Sequence, residues 1–224
     1  MVTKKSPINV VIFGAQGHGK DVLSTIIDLN KNFKKYKILG FIDDDPTLQG
    51  SKVCTFSVLG NIDWFSKPRK NIFCIVAIGD SKTKFKIVKK LEKLNVPFFT
   101  VIHPSVICSK FVKIGIGSVI HAGCVITSDV EIGNHVDVNI GTTIAHECHI
   151  DDFVTIGPGS HLNGVTHVEK GSIIGSGTIT KEDITIGQWS IVGAGTVVIT
   201  DVPKNSIFLG VPGKLKKYLN NNKF

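Results

Sequence analysis

The sequence predicts an α/β unit over residues 1–100 followed by an all-β unit, a parallel β-helix, over residues 101–224. Three observations predict it. Positions met in steps of six from Ile102 to Val198 are almost all aliphatic. Near the start, a short apolar run gives way to a glycine turn and then to an amphipathic stretch. Composition also shifts near residue 100, from lysine-rich segments with helical spacing to closely spaced Ile, Val, Gly, Ser and Thr.

The first unit opens with a strand over residues 9–13, the turn Gly14-Ala15-Gln16-Gly17-His18-Gly19-Lys20, and a helix over 21–30 that carries Val22, Leu23, Ile26 and Ile27. Strand, glycine turn and helix are the start of a βαβ unit. Further strands are expected at 38–42, 71–78 and 96–101, with a lysine-rich helix at 82–94, which makes a small Rossmann-like sheet of four strands.

In the second unit, fifteen of the seventeen positions met in steps of six are Ile, Leu or Val; Cys108 and Thr180 depart. Four places after the anchors stand small or β-branched residues such as Ser118, Val130, Thr142 and Ser160, and glycine often follows the anchor directly, as at Gly133, Gly157 and Gly175. A helical stripe repeats at 3.6, so a period of six points instead to short parallel strands joined by tight turns. The anchors point into a narrow interior, the small residues fit its corners, and the glycines are expected to supply turn dihedrals. Three such faces close one coil, and stacked coils leave open edges only at the ends. The interior should hold Ile114, Ile132, Ile150, Ile156, Ile174, Ile186 and Val192.

Composition narrows the function. The chain of 224 residues is 42% hydrophobic and 20% charged, which suits a folded core. No apolar run reaches the ~18 residues of a membrane helix, and the run after Met1 is too short for a signal-peptide core. A soluble, cytoplasmic protein is expected, with no membrane partner. The five cysteines are an odd number without a CxxC pair, which argues against a disulfide framework and a zinc cluster. The net charge of +8, without a basic-aromatic stripe, favours a small anionic ligand over nucleic acid.

Two constellations carry chemistry. The glycine turn lacks the full G-x-G-x-x-G spacing, so it reads either as a tight strand-to-helix turn or as free backbone N–H groups holding a phosphate or sugar oxygen, with Lys20 nearby. Asp43 and Asp44 end the second strand, and Gly79 ends the third. Ligands lie at that edge of open α/β sheets, where a carboxylate accepts hydrogen bonds from ribose hydroxyls or a base. The second constellation is His146 beside Glu147. A carboxylate next to an imidazole fixes its tautomer and raises its basicity, as a general base needs. Asn139, seven residues earlier, is a candidate to hold the nucleophile. The repeat sets His146 and His149 at different points of the coil, so no metal is expected there or with His161. Cys148 falls at a small-residue corner and reads as structural.

With Phe41-Ile42-Asp43-Asp44, Ala77-Ile78-Gly79, His103-Pro104-Ser105, His146-Glu147-Cys148 and the closing Gly210-Val211-Pro212-Gly213-Lys214, the chain resembles the hexapeptide-repeat sugar acetyltransferases. Those enzymes N-acetylate nucleotide-linked 4-amino-4,6-dideoxysugars in bacterial surface-glycan biosynthesis, and the sialic acid O-acetyltransferases share their plan. The resemblance spans nearly the whole chain and implies a left-handed β-helix. It implies acetyl-CoA as co-substrate, and a nucleotide-linked amino-sugar held by Gln16, Gly17, His18, Asp43, Asp44 and Gly79. His146 would be the general base, tuned by Glu147, and Asn139 would help place the amine. Acetyl-CoA would lie between two prisms near Thr155, Ser176 and Ala194, in a homotrimer with intersubunit active sites and no metal. The family commonly carries a histidine where this chain has Thr155, whose hydroxyl would have to meet the acetyl carbonyl instead. O-acetylation of a sugar and a non-catalytic nucleotide-binding scaffold are the competing readings; the intact His146-Glu147 pair speaks against the scaffold.

Overall fold

The computed structural model describes residues 7–67, 69 and 71–219; the lead-in at 1–6 and the end of the tail at 220–224 lie outside the described residues. The chain begins with β1 (Ile8–Phe13), α1 (Gly17–Phe33) and β2 (Tyr36–Ile42), followed by the short hairpin β3 (Lys52–Val53) and β4 (Phe56–Ser57), then β5 (Ile72–Val76) and α2 (Ser81–Lys93). A parallel sheet runs in the order β2-β1-β5. Successive strand side chains point to opposite faces. Val10 and Ile12 therefore pack with Leu23 and Ile26 of α1, while Val11 and Phe13 pack with Val88 and Leu91 of α2. Asp80 caps α2 by accepting from the Thr83 N–H at 2.8 Å.

The expected fourth strand at 96–101 does not form. It contributes a single bridge, Phe98 to Cys74. Proline has no N–H to give a ladder, and Pro97 contributes only its carbonyl, which accepts from Cys74 N at 2.8 Å. Val101 already belongs to the next unit, where Val101–Ile102 is the first rung.

From there the chain winds as a three-faced prism of two-residue parallel strands. The first face starts at Ile107–Cys108, the second at Lys113–Ile114, and the third at Val101–Ile102. Rungs pair with a register of eighteen, as Thr155 with Ile173 and His149 with His167. Ile132, Ile150, Ile156, Ile174, Ile186 and Val192 are buried as expected, and Ile114 is half-buried at the open end. Each such side chain contributes about 1.5–3 kcal/mol. Thr180 enters the interior because its hydroxyl is satisfied, accepting from Asn163 N at 3.0 Å and lying 3.1 Å from Thr166 Oγ1.

The glycines after the anchors serve a different purpose from the one expected. They are not at the turn's left-handed position. At Gly175 an added Cβ would lie 2.4 Å from the Ala194 nitrogen of the next coil, so these glycines let the coils approach closely. The left-handed position falls two residues later, where every sixth residue from 117 to 195 has φ between 55° and 75°.

Who occupies that position differs along the three edges of the prism. Between the third and first faces it is glycine throughout, at 123, 141, 159, 177 and 195. Between the second and third faces it includes His135, Phe153 and Trp189, whose rings receive the N-terminal unit. Phe85 of α2 meets Phe153 at 5.1 Å and Trp189 at 5.8 Å, and Phe98 meets His135 at 4.7 Å. The cost of a non-glycine left-handed residue, about 1–2 kcal/mol, is offset there by aromatic packing.

This seam should weaken in acid. Burial, reinforced by the nearby Lys84 ammonium, pushes His135 down to about 4. Burial, with His18 next to it, does the same to His121. Between about pH 6.5 and 4 the unfolded chain thus binds more protons than the folded one, so stability is full above that window and falls as pH falls through it. Urea midpoints across this range should show the decline. His135→Phe, which repeats at this turn what Phe153 already does, should flatten it; an unchanged slope would remove His135 from the account.

Candidate active site

Gln16, Gly17, His18, Asp43 and Gly79 line one pocket with Gly14, Ala77 and Ile78, at the carboxyl ends of β1 and β5. The convergence read from the sequence is therefore present. The glycines divide by role. A Cβ on Gly19 would lie 1.9 Å from the Gly14 carbonyl oxygen, so Gly19 seats α1 on the turn. Gly17 has nothing within 4 Å of its missing side chain, so it leaves the helix start open. Gln16 stands at the helix N-cap without a side-chain cap, and N–H groups at such an end are free for an anion.

The aspartates are more occupied than expected. Asp43 accepts from Ala15 N at 2.8 Å through Oδ2 and from Asp45 N at 2.9 Å through Oδ1. It latches the glycine turn to the end of β2 while lining the pocket. Asp44 accepts from Ile62 N at 2.8 Å and is not among the residues lining the pocket.

Behind the pocket lies a buried network that the sequence reading missed. His18 Nε2 is 3.2 Å from Asp137 Oδ2, a close contact without hydrogen-bond alignment. Lys84 of α2 donates to the same oxygen at 2.5 Å, to the His135 carbonyl at 3.2 Å and to Thr155 Oγ1 at 3.2 Å. The side chains of Lys84 and Asp137 are 1% and 2% exposed. Burial alone would raise the Asp137 carboxyl, but the Lys84 ammonium, helped by His18, holds it at about 2. A signal existed. In the outward row of the third face, Val101, Val119, Asp137, Thr155, Ile173 and Ile191, only Asp137 is charged. Lys84 was hidden among the other lysines of its helix.

Thr155 belongs to this network and departs from its expected place. It is 8% exposed, and its hydroxyl donates to the Gly79 carbonyl at 3.1 Å. It ties the pocket to the prism rather than presenting a hydroxyl to an acetyl group.

His146 stands elsewhere, on the edge between the first and second faces. Its Nδ1 is 3.1 Å from Glu147 Oε2, and both side chains are more than half exposed. Glu147 holds the left-handed turn position at φ 58°. The imidazole lies against Gly164 one coil on, where a Cβ would come 2.5 Å from Cε1. Asn139 donates from Nδ2 to the Ile156 carbonyl at 2.8 Å, which leaves its carbonyl oxygen and second amide N–H for a substrate. Ser176 and Ala194 are exposed, one above the other on the all-glycine edge. The structure thus brings Gln16, Gly17, His18, Asp43 and Gly79 together, and sets His146-Glu147 and Ser176–Ala194 on two different edges of the prism. Among the described residues, no helix is long and apolar enough to cross a membrane.

Comparisons with known proteins find relatives of the N-terminal unit and of nearly the whole chain. Residues 9–91 match the family described as the PglD N-terminal domain. The chain is similar to UDP-N-acetylbacillosamine N-acetyltransferase of Bacillus subtilis (strain 168), 32% identical over 120 residues, a match that spans about half of each chain. Among solved structures it is similar to the acetyltransferase domain of PglB from Neisseria gonorrhoeae FA1090 in complex with acetyl coenzyme A (TM-score 0.86, 31% identity, 94% of this chain and 100% of that one). It is also similar to PerB from Caulobacter crescentus in complex with CoA and GDP-perosamine (TM-score 0.85, 30% identity, 93% and 97%).

Proposed function

The chain belongs to the hexapeptide-repeat sugar acetyltransferases, and from that membership we propose that it moves an acetyl group from acetyl-CoA to the amine of a nucleotide-linked 4-amino-4,6-dideoxysugar. We assign nucleotide-sugar binding to residues 1–100 and acetyl transfer to residues 101–224. The relatives named above, a UDP-N-acetylbacillosamine N-acetyltransferase and structures holding acetyl coenzyme A or CoA with GDP-perosamine, support the reading. The observation that carries it in this chain is the pairing of a nucleotide-type pocket at a sheet edge with an exposed His146-Glu147 couple on the prism.

The chemistry asks little beyond position and a base. Acetyl-CoA is already activated, so the enzyme must hold amine and thioester together. The sugar amine attacks the thioester carbonyl, a tetrahedral intermediate forms, and the CoA thiolate leaves as the amide is completed. With Nδ1–H turned to Glu147 Oε2, Nε2 of His146 is the nitrogen that takes the amine proton. Gln16, Gly17 and His18 would hold the diphosphate at the open helix start, and Asp43 and Gly79 would bound the nucleoside. Ser176 and Ala194 would flank the coenzyme along the all-glycine edge, whose lack of side chains leaves a long ligand room to lie flat.

Because the base and the coenzyme edge stand on different corners, a complete site takes two chains, and the closed arrangement is a homotrimer. Exposed Ile107, Phe111, Ile140 and Val165 on the prism supply apolar surface for such contacts. Subunit mixing tests this. His146→Ala removes the base, and Ala194→Trp obstructs the coenzyme edge at an exposed position. Each variant alone should be nearly inactive. Trimers refolded or co-expressed from an equal mixture should regain about a quarter of the wild-type sites by random assembly. No recovery from folded mixed trimers would mean that each chain carries its own whole site.

A further inference from the structure

On the second face of the prism, we propose a binding site for a divalent transition metal of the zinc or nickel class, formed by His149 Nε2, Asp151 Oδ1 and His167 Nε2. It is independent of the acetyl-transfer reading. In the sequence, His149 stands near His146 and His161. The fold instead pairs His149 with His167, its direct neighbour one coil on, while His161 turns to Thr143 on the first face at 2.8 Å.

The geometry is that of a ligand set. Asp151 Oδ1 lies 3.3 Å from His149 Nε2 and 3.2 Å from His167 Nε2, and all three ligand atoms fall within 4.8 Å of one another. Around a tetrahedral zinc with bonds of about 2.0–2.1 Å, ligand atoms sit about 3.3 Å apart. Two imidazoles and a carboxylate suit zinc, nickel or copper rather than magnesium or calcium.

The surroundings are arranged as metal ligands require. A ligating histidine commonly gives its other N–H to a carboxylate, and a ligating carboxylate is itself hydrogen-bonded. Glu131 Oε2 stands 3.5 Å from His149 Nδ1, the carboxylate nearest an Nδ1–H that would leave the lone pair on Nε2 for the ion. The other Asp151 oxygen accepts from the Lys170 N–H at 3.1 Å. The two nearby lysines are engaged: Lys113 with Glu131 at 2.6 Å, and Lys170 over the Phe85 and Phe153 rings. The parallel ladder fixes the histidine backbones, so binding has only side chains to order. Three protein ligands leave a fourth position for water or another donor.

Tag-free protein stripped with chelator and dialysed against micromolar zinc sulfate should retain one zinc per chain. Cobalt in its place should give the visible absorption of a tetrahedral site. Asp151→Asn and the double variant His149→Ala/His167→Ala should abolish both signals while circular dichroism stays unchanged. Glu131→Gln, which touches no metal, should weaken zinc by about 10–100-fold. Absence of bound zinc overturns the site, as does equal zinc in the double variant, since the ion would then rest on other histidines.

Discussion

His146→Ala should lower kcat by about 10²–10⁴-fold while leaving the KM for both substrates nearly intact. A 4-amino-sugar is largely protonated at neutral pH, so a proton must leave before or during attack. We assign that step to the imidazole, which is more than half exposed, has Nδ1 against Glu147, and takes no part in the buried network behind the pocket. Removing it takes away an interaction made in the transition state only, which lowers kcat and kcat/KM together. Glu147→Ala should cost less, because Glu147 acts through the imidazole. Gly164→Ala separates position from presence. Its new methyl would need the space 2.5 Å from His146 Cε1, and the exposed ring would swing aside, so kcat should fall with the base still in the chain and the fold unaltered. Near-normal turnover in His146→Ala would move the base elsewhere and leave catalysis resting on proximity.

The β-helix was legible because its physics is periodic. A narrow interior admits one aliphatic residue per face per coil, so the six-residue repeat could be read without knowing any contact. The pocket was legible for a similar reason: Gly14 to Gly19, Asp43 and Gly79 mark the ends of three strands that a parallel sheet must bring to one edge. What stayed hidden depends on which elements touch across the chain. Nothing local distinguishes Lys84 from the other lysines of α2; its burial comes from the seam with Asp137. Thr155 sits at a repeat position that faces solvent on a bare prism and faces Gly79 here. The strand expected at 96–101 failed on a single residue, Pro97, whose missing N–H outweighs the β-branched neighbours.

Asp137→Ala should destabilise the protein by about 3–5 kcal/mol, because it leaves the Lys84 ammonium buried without its counter-charge. The remaining partners of that ammonium, the His135 carbonyl and the Thr155 hydroxyl, are neutral. Replacing both charges, Lys84→Met with Asp137→Leu, removes the desolvation cost along with the attraction and should return stability close to wild type. Urea unfolding at fixed protein concentration measures both. The two variants should part company again in function. The double variant should be stable, yet His18 loses the carboxylate 3.2 Å from its Nε2, so under the proposed role of His18 the nucleotide-sugar KM should rise with kcat little changed. Acid provides a second handle. Asp137 is held at about 2 against an ordinary 3.8, so its stabilisation is complete above about pH 4 and lost as pH falls toward 2, below the window in which His121 and His135 act. The double variant should keep the upper loss and lack the lower one. Equal instability in the single and double variants would mean that Asp137 serves packing alone, and an unchanged KM in the double variant would free His18 from its control.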